Sequence, residues 1–403
     1  MSKLDTLIQQ LCPDGVEYKK LGDIATITRG GNLQKKDFTD TGIPCIHYGQ
    51  IYTKYGLFAD KTFTFISKQS ASKQKYAEPN DIVMAVTSEN LEDVCKCVAW
   101  LGDVPAAVSG HTAIIHHGQN PKYLCYYFHS SHFQNQKNRM AHGTKVIEVT
   151  PNKLTDILLP VPPLEIQCEI VRILDNFTEL TAELTAELTA RTKQYNYYLD
   201  TLLVSKCTDK VRALKTVCLS IADGDHMPPP KADSGVPFIT ISNITKNKTI
   251  DFSNVMYVPR DYYNKLADKR KARQQDVLYT VVGSFGTPVF VSDNTEFVFQ
   301  RHIAILRPDK KQILPRYMYF AMQTSDFFKQ ADKAAKGAAQ RTIGLASLGN
   351  MKIYVPSLEE QRRIVSILDR FDALCNDLTS GLPAEIEARK KQYEYYRDKL
   401  LQF

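Results

Sequence analysis

Apolar residues at alternating steps of four and three carry the strongest pattern in the chain. Ile166, Ile170, Ile173, Phe177, Leu180 and Leu184 recur as a heptad stripe, which predicts one long helix over Leu164 to Leu203. Inside it the run TAELTAELTA, Thr181 to Ala190, advances by four through Leu184 and Leu188, before Tyr195, Tyr198 and Leu202 restore the stripe. An extra step of four is a stutter that locally unwinds a supercoil. Threonine is a modest helix former, so tertiary packing is expected to hold this segment. A second stripe, Ile364, Leu368, Phe371, Leu374 and Leu378, breaks at SGLP (Ser380 to Pro383) and resumes through Ile386, Tyr393, Tyr396 and Leu400. Proline removes a donor and clashes with the preceding turn, so a kink or restart is expected there.

Both stripes belong to an internal repeat. VPPLEIQCEIVRILDNF, starting at Val161, matches VPSLEEQRRIVSILDRF, starting at Val355, 194 residues later. The endings KQYNYYLDTLL (Lys193 to Leu203) and KQYEYYRDKLL (Lys391 to Leu401) lie 198 apart, so the second copy has four extra residues inside its helix. The repeat extends backwards: GIPCI at Gly42 matches GVPFI at Gly235, PKYLCYYFHSSHF at Pro121 matches PRYMYFAMQTSDF at Pro315, and Gly143 matches Gly337. These offsets predict a tandem of domain, helix, domain, helix, bounded at 1–160, 161–205, 206–354 and 355–403.

Short strand-like runs (DIATIT, DIVMAV, VLYTVV, PVFVS) sit between Gly, Pro, Asn and Asp clusters in both halves. Each half then has one expected helix, about Pro121 to Arg139 and Pro315 to Lys336, with proline in the first turn. The expected fold is α+β: two tandem domains with curved β cores, separated by two long helices forming an antiparallel coiled coil. About 38 helical residues span roughly 57 Å. The alternative is that each helix packs on its own domain.

Composition narrows the class. The 403 residues are 43% hydrophobic, enough for sizeable cores, without an apolar run long enough to span a bilayer or an N-terminal secretory h-region. Nine cysteines without a C-x-x-C pair point to free thiols in a reducing, cytoplasmic compartment. A net charge of +7 permits a polyanionic partner without demanding one.

The entrances Val161 to Gln167 and Val355 to Gln361, the I-V-x-I-L-D helix starts and the KQYxYYxDxLL ends together resemble the DNA-specificity subunits of type I restriction-modification systems. The TAEL units resemble those of a subgroup that builds its spacer from them, and the resemblance covers essentially the whole chain. It implies two target-recognition domains reading the halves of a bipartite, asymmetric site in double-stranded DNA. It further implies that the paired helices act as a ruler and dock two methyltransferase subunits, with restriction subunits further out, and that the chain itself is not catalytic.

The residues agree with that division of labour. No G-x-x-x-x-G-K-[ST] phosphate loop and no N/D-P-P-Y/F adenine-binding run occur, and no cofactor is expected. Pro13, Asp14, Glu17 and Lys19 stand in a nuclease-like order, but too close to sit on separate strands around a metal, and they read as the entrance to a strand. Cys125, His129 and His132 share a helix face, with Cys95 and Cys97 elsewhere in the same half. A C-x-C pair is poor zinc spacing and the second copy has Tyr319, Gln323 and Asp326 instead, so no metal site is expected.

The DNA-reading surface is expected on polar, basic and aromatic loops, because base edges are read by hydrogen bonds and methyl contacts while Lys and Arg hold phosphates. In the first domain the candidates are Arg29, Asn32, Gln34, Lys35 and Lys36; His47, Tyr48, Gln50, Tyr52 and Lys54; Ser88 and Asn90; and Lys145. In the second they are His226 and Lys231; Ser242, Asn243 and Lys246; Ser284 and Phe285; Gln300, Arg301 and His302; and Gln340 and Arg341. Loops are polar in any protein, so the set carries more weight than its members. A stand-alone DNA-binding regulator and a helix-mediated scaffold are the competing readings; gel shifts on the isolated chain and the salt dependence of binding separate them.

Overall fold

In a computed structural model, which describes residues 2–204, 208–224, 229–338 and 340–403, the apolar run Ile82–Ala85 is the central strand of a five-stranded sheet and every side chain in it is buried. Its antiparallel neighbours are Thr112–His117 and Cys97–Trp100, flanked by Ala25–Arg29 and Phe58–Ala59. Successive side chains point to opposite faces. Ile82 and Met84 therefore enter a core shared with helices, while Val83 and Ala85 join Ile46, Trp100 and Val108. Ile46 and Val108 come from a second five-stranded sheet, ordered Phe38–Thr39, Thr64–Ile66, Ile43–Ile46, Ala106–Val108, Lys75–Ala77. Burial on both faces is why the run reads as continuously apolar.

Among the described residues the second copy repeats this logic with fewer strands. Val277–Thr280 lies between Ile303–Pro308 and Pro288–Phe290 in a four-stranded sheet, beside a three-stranded sheet of Met256–Val258, Val236–Ile239 and Val298–Phe299. Val277 and Tyr279 face helices, whereas Leu278 packs with Phe297 and Phe299.

Each expected mid-domain helix is two helices. Pro121–Phe128 is followed by Ser131–Met140, and Pro315–Ala321 by Ser325–Ala334. The breaks fall at Ser130 and Thr324, whose side chains accept from the Phe133 and Phe327 amides and so cap the second helix of each pair.

The chain divides into two compact units, Met1–Glu183 with Glu387–Phe403, and Leu184–Ile386. The helix Leu164–Leu203 therefore contributes to both, as does Leu382–Leu400. In the first unit Ile166, Ile170 and Leu174 are fully buried in the domain core beside Leu401, with Ile173, Tyr393 and Leu400 packed against it. There Phe177 stacks on Tyr396 at 5.4 Å. In the second unit Tyr195, Leu199 and Leu203 are buried with Ile364 and Leu368; Leu188, Leu202 and Phe371 pack against them, and Tyr195 stacks on Phe371 at 6.3 Å. The two alternatives of the sequence reading are thus combined: each helix packs on an antiparallel partner and on a domain.

The middle of the stripes departs from the expected seam. Leu180 is 37% exposed, Leu374 38% and Leu378 61%, and Leu184 is only half-buried. Leu180 and Leu374 each follow a heptad step of three, from Phe177 and Phe371, so the later four-residue step from Leu184 to Leu188 does not account for their exposure, and Leu188 packs against the second core. Leu378 lies outside any helix, because Leu358–Asn376 ends there and Leu382–Leu400 begins after it. That break is the one expected at SGLP. Asp377 stabilises it, accepting from the amide and hydroxyl of both Thr379 and Ser380.

The repeated glutamine has a physical reason. Gln167 is fully buried; its amide donates to the Pro162 carbonyl (2.8 Å) and Gln119 Oε1 (2.7 Å), and its oxygen accepts from the Asn120 amide (2.9 Å). Gln361 is equally buried, bridging the Pro356 and Gln312 carbonyls and the Leu314 amide. Both clamp the start of a long helix to the loop before a proline-led one. Among the described residues no helix is long and apolar enough to cross a membrane.

Candidate nucleic-acid interface

Beyond Ala85 the central strand of the first unit continues into Thr87–Ser88, which pairs with Ile147–Glu148. Beside it, His111 precedes the neighbouring strand and the helix Tyr48–Thr53 presents two tyrosines. These elements enclose a concavity of about 360 Å³ lined by Tyr48, Tyr52, Thr87, Ser88, Glu89, Asn90, Asp93, His111 and Val146. His111 lies 4.8 Å from the Tyr48 ring and its Nδ1 is 3.1 Å from the Thr87 hydroxyl. The Tyr52 hydroxyl donates to the Thr87 carbonyl at 2.7 Å, and burial pushes that phenol far above its ordinary range. Asn90 and Asp93 bond reciprocally, and hydrogen bonds from Lys96 and Asn90 hold the Asp93 carboxyl below the usual range.

The loop carrying these groups has an internal anchor. Lys137 is fully buried and its ammonium donates to the carbonyls of Leu91 (2.8 Å), Glu92 (3.2 Å) and Val94 (3.0 Å). Desolvation lowers its pKa, yet three converging acceptors satisfy the charge.

The second unit has a concavity in the equivalent place, also about 360 Å³, whose lining includes Asp223, Val281, Val282, Arg301, His302, Gln340, Thr342 and Ile343. Strand register fixes the correspondence: Thr112 pairs with Ala85, and Ile303 with Thr280. His302 therefore matches His111, and Val282 matches Thr87. The third wall also repeats, since the bridges His142 to Glu148 and Lys336 to Thr342 are copies of one turn, with positive-φ Gly143 and Gly337 inside it. Added Cβ atoms at these glycines would meet the Val146 and Gln340 carbonyls. Burial, then the charge of Arg301, lowers the His302 pKa, so its imidazole is neutral at pH 7.

The structure sorts the expected residues. Tyr48, Tyr52, Ser88 and Asn90 come together in the first concavity, and Arg301, His302 and Gln340 in the second. Asn32, Gln34, Lys35, Lys36, Lys54, Lys145, Lys231, Ser242, Lys246 and Ser284 are exposed outside those linings. His226 lies outside the described residues. Gln300 is half-buried, its amide held by the Ile239 carbonyl.

Other candidates are occupied by the fold itself. His47 and Gln50 are buried at 5% and 7% exposure because they form the capping box of their own helix: His47 Nδ1 accepts from the Gly49 amide, and Gln50 Oε1 from the His47 amide and Thr64 hydroxyl. Asn243, matching Gln50, is buried likewise, accepting from Thr240 and donating to the Asp251 and Asn254 carbonyls. Arg29 is tied to the Gly110 carbonyl and Glu148. Phe285 stacks on Phe328 under Arg341, which pairs with Asp332.

His111, Asp93 and Lys137 were not singled out by the sequence. Aligning His111 with His302 would have found the first, but their offset is 191, away from the 194 of the surrounding repeat. The structure also brings Cys97, Cys125 and His129 within 4.8 Å, while leaving Cys95 and His132 out of the group. Its atoms already have protein partners: the Cys125 thiol donates to the Leu57 carbonyl at 2.9 Å, and His129 Nδ1 meets the Cys125 carbonyl at 2.8 Å. A cation there would displace both.

Comparison with known proteins identifies the family. The model of the type I restriction modification DNA specificity domain matches twice, over residues 13–194 and 210–388. A putative type I restriction enzyme specificity subunit of Haemophilus influenzae is 31% identical, over 96% of both chains. The EcoR124I/EcoR124II specificity subunit of Escherichia coli is 33% identical over 60% of this chain and 61% of its own. A solved chain from a type I restriction-modification assembly superposes with a TM-score of 0.67 at 19% identity, covering 97% of this chain and 98% of that one, a likeness of fold.

Proposed function

The chain belongs to the type I restriction-modification DNA specificity family, and from that premise we propose that it reads a bipartite, asymmetric site in double-stranded DNA and performs no chemistry itself. One observation carries the reading. Two concavities occupy the same place in two copies of one scaffold, yet their linings differ, with Tyr48, Asn90 and Asp93 in the first and Arg301 and Gln340 in the second. Equal scaffolds with unequal readers fit two different half-sites. The exposed lysines around them suit phosphate contacts, which position without specifying sequence.

The long helices supply the distance between readers and the dock for partners. Tyr197 and Tyr395 are equivalent residues of the repeated KQYxYY motif and are 65% and 61% exposed, and tyrosine is enriched at interfaces, where one end is apolar and the other wet. Such a pair suits two copies of one partner, the methyltransferase subunit, with restriction subunits bound further out. Cytoplasmic location follows from this reading. The test is co-purification: the chain is expected to form a stable complex with methyltransferase subunits and to shift bipartite DNA within it. Tight, specific DNA binding by the chain alone, with no methyltransferase captured, would support a stand-alone regulator instead.

A further inference from the structure

Resting on that reading, the equivalence of the concavities permits a finer comparison. Position by position, Gly110 precedes His111 where Arg301 precedes His302, and Ser284 stands where the first unit has Glu89. Many of the other polar lining groups are engaged within the protein: Asn90 with Asp93, Asp93 also with Lys96, Tyr52 with Thr87, and Asp223 with Arg270. Among the described residues, the side chains of Glu89 and Arg301 have no hydrogen bond or ion pair, and both are exposed. One free group is a pure acceptor with negative charge. The other is a pure donor with positive charge.

We propose that the two concavities read base edges of opposite hydrogen-bond sense: Glu89 accepts from a base bearing an exocyclic amino group, cytosine N4 or adenine N6, and Arg301 donates to guanine O6 and N7.

A carboxylate brought against DNA is repelled by every phosphate, so the major-groove partners that repay its desolvation are amino hydrogens on base edges. Arg301 fits the planar O6 and N7 pair in two parallel bonds, and the neutral His302 beside it adds one donor and one acceptor without a second repelling charge. The hydroxyl of Ser284, at the position of Glu89, accepts and donates alike and so does not oppose a guanine.

The experiment uses the chain assembled with its methyltransferase subunits, measuring methyl transfer to duplexes altered at single atoms. Removing one amino group, by 2-pyrimidinone for cytosine or purine for adenine, is scanned across the first half-site, leaving intact the adenine whose amino group accepts the methyl. Replacing guanine N7 by carbon, with 7-deazaguanine, is scanned across the second. The expected result is one position in each half-site where the deletion costs about 5- to 150-fold. That loss should vanish in Glu89→Ala for the first and in Arg301→Ala for the second, and the scan identifies cytosine or adenine. A scan in which no sensitive position is relieved in the matching variant overturns the proposal, as does an Arg301→Ala that weakens all sequences equally, the mark of a phosphate contact. Either outcome leaves the bipartite reading standing, provided the unaltered complex still discriminates its site; failure to discriminate any bipartite site overturns both.

Discussion

Asp200 accepts hydrogen bonds from both the amide and the hydroxyl of Ser325, each at 2.8 Å. Ser325 opens a helix of the second repeat, whereas Asp200 closes the long helix of the first. The mirror contact exists in the other unit, where Asp398 accepts from the Ser131 amide at 3.1 Å. Each KQYxYYxD motif thus pins a helix N-terminus of the opposite repeat, where an anion also meets the positive end of the helix dipole. Asp200→Ala and Asp398→Ala are each expected to cost about 1 kcal/mol. Urea unfolding checks this, and unchanged midpoints in both variants would contradict it.

The buried glutamines should be less forgiving. Gln361→Leu leaves the Leu314 amide and the Gln312 and Pro356 carbonyls without a partner in a fully buried position. A loss of roughly 1–3 kcal/mol per stranded group is expected, enough to lower the thermal midpoint by several degrees. Gln167→Leu should behave alike, and calorimetry of the two variants is the check.

Lys137 positions the loop that carries Asn90 and Asp93. Lys137→Met fills similar volume but strands three carbonyls. Amide hydrogen exchange is expected to accelerate at residues 90–95, and discrimination in the first half-site to relax while the second is untouched. Equal loss at both half-sites would mark a global destabilisation instead.

Acid sensitivity has an identifiable contributor in Glu169, whose pKa falls from 4.5 to about 2 through hydrogen bonds from Arg172 and then Lys3. A carboxyl with a depressed folded pKa stabilises fully above its unfolded value, and that contribution is lost as pH falls through the folded one. Stability should therefore decline between about pH 4.5 and 2, and Glu169→Gln should flatten part of that slope. Urea midpoints measured across this window test the claim.

The long helices, the tandem repeat and the SGLP break were legible in the sequence because periodicity and proline chemistry are local. Whether a polar residue reads or builds was not. His47 and Gln50 resemble loop readers in every compositional respect, and only the folding of Thr64 and Gly49 against them turns both inward. Exposure along the stripe was not legible either: Leu180 continues the heptad from Phe177 yet is 37% exposed, whereas Leu188, past the extra step of four, packs on the second core. His111 was hidden because it is a lone histidine until strand register aligns it with His302.

Adding one TAEL unit should lengthen the helix by about 6 Å, close to two base-pair steps, and rotate its end by ~40°. The half-sites should keep their sequences while their spacing changes. Altered half-sites in such a variant would show that the helix does more than set a distance.

Sequencing the methylated genome of a strain carrying this chain with its methyltransferase tests the bipartite reading most directly. The expected result is adenine methylation at one bipartite motif with two different half-sites at fixed spacing, lost when the chain is deleted. A palindromic or contiguous motif, or methylation indifferent to the chain, would contradict it.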